Sequence, residues 1–86
     1  MFYHDLDLKR FGKYLRNRRM ELGLTQADID QMTGMHEKSY GKIERGEVNP
    51  KASSIYKLEV VLDIKISDIY EQIRKEKNHQ TSSPDG

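Results

Sequence analysis

Residues 23–50 read GLTQADIDQMTGMHEKSYGKIERGEVNP, and this stretch decides the architecture. Gly23 is suited to close a helix in the left-handed conformation. Thr25 follows as an N-cap, with Asp28 three residues on in a capping-box arrangement. The short helix that starts there carries Ile29 and Met32 and stops at Gly34. Met35 and His36 lead into another short helix, with His36 at its N-cap and Tyr40 and Ile43 directed inward. Gly46 ends that helix, and Asn49-Pro50 marks a loop. Two short helices joined by Gly34-Met35-His36 have the geometry of a helix-turn-helix, in which the second helix is presented outward.

The flanking sequence extends the helical pattern in both directions. Upstream, Leu8, Phe11, Leu15 and Leu22 form an apolar stripe at helical spacing, predicting a first helix over roughly 8–22. Downstream, Ile55, Leu58, Val61 and Leu62 predict a fourth helix from about Ala52, broken at Asp63. A fifth begins near Ile66 or Ser67, directs Ile69, Tyr70 and Ile73 inward, and frays from Lys75 to Asn78. No segment alternates with period two for long enough to read as a strand, so the expected class is all-α with five helices. Residues 1–7 read as an N-terminal arm, whose Phe2, Tyr3 and Leu6 would fold back on the core or join a dimer contact. Residues 8–77 read as the domain. The polar stretch 78–86 reads as a disordered tail or linker.

Composition narrows the function. With 86 residues, 35% of them hydrophobic, the chain builds one small core and no deep substrate cleft. It has no cysteine, which excludes disulfide frameworks, cysteine-ligated zinc and thiol nucleophiles and fits a reducing cytoplasm. No apolar run approaches the ~18–20 residues that span a bilayer, and no signal-peptide core is present. His4, His36 and His79 form no metal-binding pair, and Ser39, Ser53, Ser54 and Ser67 lack a catalytic His/Asp context. No glycine-rich phosphate loop is visible. The expectation is therefore a binding protein without metal or cofactor, not an enzyme.

Charge distribution says what is bound. The 15 Lys and Arg against 14 Asp and Glu leave +1. Yet residues 9–19 hold Lys9, Arg10, Lys13, Arg16, Arg18 and Arg19 with no acid, while 59–71 hold Glu59, Asp63, Asp68 and Glu71 against Lys65 alone. The early basic face suits an anionic polymer.

On the third helix, Lys38, Lys42 and Arg45 share one face. A helix fits the major groove of B-DNA, where Lys donates to guanine O6 and N7. Lys38 and Lys42 are the first candidates to read bases. Glu37 would accept from cytosine N4 or repel phosphate, and His36 would touch a phosphate or a base edge. Gly41, costly in mid-helix, would permit close approach to the groove floor or would be a neutral surface glycine. Thr25 and Gln26 open the second helix, where free amides bind phosphate. Arg45 and Lys51 flank the following loop as phosphate contacts, and Lys13, Arg16 and Arg18 are further candidates that the sequence does not sort. Arg19 lies in the apolar stripe of the first helix, where a guanidinium turned inward needs an anion.

The order Gly23-Leu24-Thr25-Gln26, Gly34, Ile43-Glu44-Arg45-Gly46, Asn49-Pro50 resembles the Cro/CI-type helix-turn-helix family, also called the XRE family, over about residues 8–70. The resemblance implies a five-helix, lambda-repressor-like DNA-binding domain that acts as a transcriptional regulator, for example a repressor. It implies a double-stranded DNA partner and a homodimer formed through the fifth helix or the N-terminal arm. It also implies that Gln26 reaches the DNA backbone and that Arg19 pairs with Glu44. Related domains serve as protein-interaction modules in antitoxins or coactivators, which is the alternative reading, and a protein partner or a C-terminal sensor domain missing from this sequence is a further expectation. Asp30, Thr33, Glu59 and Asp63 depart from the family pattern, where small apolar residues, leucine and glycine are usual. They suggest a looser or differently packed core, or carboxylates turned toward basic partners.

Overall fold

Phe11 and Leu15 stand one helical turn apart inside a basic stretch, and the first helix forms to bury them. In the computed structural model, which describes residues 5–81 with side chains from 7 to 76, the order is α1 (Asp5–Glu21), α2 (Gln26–Thr33), α3 (Glu37–Glu44), α4 (Ala52–Leu62) and α5 (Ile66–Thr81). No strand occurs among the described residues. Phe11, Leu15, Ile29, Tyr40, Leu58 and Leu62 are fully buried, and Ile43, Ile66, Ile69 and Ile73 complete the core. The Phe11 ring lies 6.1 Å from that of Tyr70, joining α1 to α5.

Several boundaries differ from the sequence reading. The first helix begins at Asp5, so residues 5–7, assigned above to the arm, are helical and Asp7 is buried. Acids in a first turn favour the positive end of the helix dipole. Leu22 falls outside the helix and is 40% exposed. The chain reverses there through Gly23 at φ 72°, with Gly23 N–H donating to the Met20 carbonyl and Leu24 N–H to that of Arg19. Met32 is 54% exposed, because α2 is short and only its Ile29 side faces the core. The fifth helix continues to Thr81, so residues 78–81, expected in the disordered tail, are helical. No glycine or proline interrupts the chain between Ile73 and Thr81. The expectations for Phe2, Tyr3, the side chain of Leu6 and residues 82–86 lie outside what the structure describes.

The four departures from the family pattern terminate helices rather than loosen the core. The Asp30 carboxylate accepts from Glu37 N–H at 3.0 Å, capping α3 from α2. The Glu59 carboxylate accepts from Ile66 N–H at 2.9 Å, capping α5 from α4. The Thr33 hydroxyl donates to the Ile29 carbonyl at 2.6 Å and accepts from Met35 N–H at 3.0 Å, closing the turn. Asp63 adopts φ 52°, ψ 56°, a left-handed geometry that aspartate tolerates better than most residues.

Candidate nucleic-acid interface

The site is organised around α3. Its inner side buries Tyr40, Gly41, Ile43 and Glu44. A carboxylate among apolar residues must be compensated, and Glu44 is. Arg19 Nε donates to Glu44 Oε2 at 2.7 Å and Arg19 Nη2 to Oε1 at 3.1 Å, a bidentate pair whose side chains are 11% and 3% exposed. Gln26 Nε2 adds a third bond to Glu44 Oε1 at 3.1 Å. The remaining Arg19 amino group donates to the Leu24 carbonyl at 2.7 Å. One carboxylate of α3 thus ties together α1, the start of α2 and the turn between them.

The electrostatics follow from that enclosure. Burial raises the Glu44 pKa, but the Arg19 guanidinium and the polar groups of Tyr40 and Gln26 outweigh it and hold the carboxyl below its ordinary value. Arg19 is pushed up, chiefly by its hydrogen bond to Glu44. The Tyr40 hydroxyl is buried close to this pair with no hydrogen bond of normal geometry, and burial, then Glu44, raises its pKa.

Two glycines set how closely α1 and α3 approach. A Cβ on Gly12 would overlap the Glu44 carbonyl oxygen, and one on Gly46 would stand 2.7 Å from Lys9 Cα. Gly46 also supplies φ 72° at the end of α3, where its N–H donates to the Ile43 carbonyl and Glu47 N–H to that of Lys42. Gly12 carries no motif of its own. Its signal in the sequence is only that a glycine interrupts a helix otherwise free of them.

The outer side of α3 presents Glu37, Lys38, Ser39, Lys42 and Arg45 to solvent. Among the described residues, neither Lys38 nor Lys42 takes part in an ion pair. Arg45 is held on Glu47, Nε to Oε2 at 2.7 Å, in an exposed pair that raises the arginine pKa and lowers that of the glutamate. His36 caps the helix by accepting from Lys38 N–H through Nδ1 at 3.1 Å. His36, Ser39 and Lys42 of this region line a groove of about 420 Å³ with Lys51 and Ser54, so Lys51 is brought beside the α3 residues. Lys51 starts α4 with no side-chain cap.

Three candidates are engaged within the fold, Thr25 in the expected capping box. Gly41 is buried, not open on the groove-facing side: a Cβ there would stand 3.0 Å from Arg45 Nη1 and 3.3 Å from Gln26 Oε1, because these side chains lie across it. The Thr25 hydroxyl is occupied by the capping box, accepting from Asp28 N–H at 3.0 Å while Asp28 Oδ2 accepts from Thr25 N–H at 2.8 Å. Arg18 turns inward, its Nε donating to the Leu62 carbonyl at 2.9 Å. Sequence reasoning missed Asp30 as a cap of α3, although a carboxylate seven residues ahead of the N-terminal amide is a signal that the short turn makes usable.

Comparison with known proteins agrees with this geometry. A helix-turn-helix family model matches residues 15–69. The fold is similar to the crystal structure of the restriction-modification controller protein C.AhdI from Aeromonas hydrophila, with a TM-score of 0.70 and 34% sequence identity over 74% of this chain and 97% of that one. No functionally curated protein matched. With a matching helix-turn-helix, an arginine–glutamate pair behind it and cations in front of it, the chain belongs to the Cro/CI-type (XRE) helix-turn-helix family of DNA-binding regulators.

Proposed function

We propose that the protein is a cytoplasmic transcriptional regulator that binds a two-fold-related duplex site as a homodimer, with α3 of each copy in the major groove. Lys38 and Lys42 read base edges, with Glu37 and His36 at the helix start. Gln26, Arg45 and Lys51 contact backbone phosphates, and the amides beside Thr25 contribute at the start of α2. Gly41 acts by making room for Gln26 and Arg45 rather than by touching a base. The observation that carries this reading is the contrast between the two sides of α3: a buried side locked by Glu44, and an exposed side whose lysines form no ion pair among the described residues.

The N-terminal arm and α5 were the expected dimer contacts. Ile66, Ile69 and Ile73 of α5 are buried in the chain's own core, whereas Tyr56 and Val60 of α4 stand one turn apart at 68% and 64% exposure. We place the contact between copies on that α4 face. Selection of bound sequences from a random duplex pool, with the mass in solution measured alongside, tests the reading. A palindromic consensus, a dimer mass and an affinity that falls steeply with salt are expected. Absence of duplex affinity at low salt, with capture of a protein partner instead, overturns it in favour of an interaction module.

A further inference from the structure

We propose that the DNA contact extends from α3 onto α1, where Lys9, Lys13 and Arg16 form an exposed cationic stripe that binds backbone phosphates flanking the bases read by α3. The inference rests on the DNA-binding reading and adds a surface to it.

The six cations of residues 9–19 divide into two sets. Arg10, Arg18 and Arg19 are engaged within the fold: Arg10 lies near Asp7 and Glu76, Arg18 on the Leu62 carbonyl and Glu21, and Arg19 on Glu44. Lys9, Lys13 and Arg16 are exposed, and among the described residues none forms an ion pair. Their spacing of four and three puts them on one helix face, and no acid occurs between Leu8 and Met20 to neutralise it. Like charges at this spacing disfavour the helix unless an external anion offsets them.

The stripe adjoins the proposed reading helix. At Gly12 and Gly46 the backbones of α1 and the end of α3 are in direct contact, so Lys9 lies beside the turn that follows Arg45. From Lys9 to Arg16 the helix rises roughly 10 Å. Projected on the duplex axis, that length spans about three phosphates of one strand, at ~3.4 Å per charge. A regular polyanion therefore matches the stripe in sign and in spacing.

The test compares the full chain with the triple variant Lys9→Gln, Lys13→Gln, Arg16→Gln, titrating a selected duplex at several salt concentrations. The plot of log affinity against log salt should become shallower by about 0.9 for each phosphate no longer neutralised, approaching ~5.4 for a dimer that brings two stripes. The ratio of specific to non-specific affinity should stay constant, and phosphate-ethylation interference should shrink on the outer flank of each half-site. The equally charged control Lys65→Gln, Arg74→Gln, Lys75→Gln alters exposed cations elsewhere and should leave the slope unchanged. The three single substitutions, each expected to lower the slope by about 1.8 in the dimer, serve if the triple variant fails to fold. An unchanged slope in folded stripe variants, or an equal loss in the control, overturns the proposal while duplex binding by the parent stands. A parent protein that binds no duplex overturns both.

Discussion

The inner and outer sides of α3 share one residue type and give it opposite fates. Each carries a glutamate: Glu44 on the inside, Glu37 on the outside. Glu44 is enclosed by Arg19 and Gln26, which hold both of its carboxylate oxygens. Glu37 uses only its backbone amide, held by Asp30, and leaves its side chain in solvent with Lys38 and Lys42. A helix that reads another molecule needs both conditions. Its pose must be held by groups that do not move, and its reading groups must not be spent on the fold.

The comparison is broken most severely from the inside. Arg19→Ala strands a buried carboxylate and should cost roughly 3–5 kcal/mol of stability by chemical denaturation. A nearly neutral result would mean that Glu44 finds water and that the pair does not hold α3. The same pair makes stability depend on pH. Burial raises the Glu44 pKa but Arg19, Tyr40 and Gln26 lower it further, so its folded value lies below that of the unfolded chain. The stabilisation is complete above the unfolded carboxyl pKa and disappears as pH falls through the folded one. Acid titration of the melting temperature should show this loss in the parent and a weaker one in Arg19→Ala.

Gly12→Ala attacks the same side through sterics. The added methyl meets a backbone carbonyl, which cannot swing aside, so a loss of about 1–3 kcal/mol is expected together with weaker duplex binding. Normal stability would show that α1 and α3 can separate at little cost. Lys42→Ala tests the outer side: melting should not move, while discrimination at one base pair should relax by roughly 1–3 kcal/mol. Equal weakening on every duplex would assign Lys42 to a phosphate. Asp30→Ala joins the two sides, since it removes the cap that α2 supplies to α3. A loss of about 1 kcal/mol is expected, smaller for Asp30→Asn, whose amide oxygen can still accept. Equal losses in both variants would trace the effect to charge.

Much of this was readable residue by residue. Thr25-Gln26-Ala27-Asp28 announced a capping box, and Gly23, Gly34 and Gly46 announced helix ends, because each signal acts within four residues of its own position. Tyr40 and Ile43 against Lys38 and Lys42 were separable by helical periodicity alone. The Arg19–Glu44 pair was legible through the family resemblance and the cost of an inward charge. Gly12 was not legible, since nothing near it in the chain shows that a carbonyl of α3 lies against it. Nor were the roles of Asp30, Thr33 and Glu59, which break the family pattern locally and satisfy backbone groups of a neighbouring turn or helix.

By itself the amino-acid sequence determined the helix order, the turn that sets α3 apart and the face of α3 that carries its lysines, because caps and periodicity are short-range physics. Tertiary structure alone decided which cations are consumed and which remain available. Arg18 meets Leu62 across 44 positions and Arg19 meets Glu44 across 25, while Lys9, Lys13 and Arg16 from the same run stay exposed. A charge is neutralised by whatever packing brings within a few ångströms, and that distance is set by the assembled core rather than by neighbours in the chain.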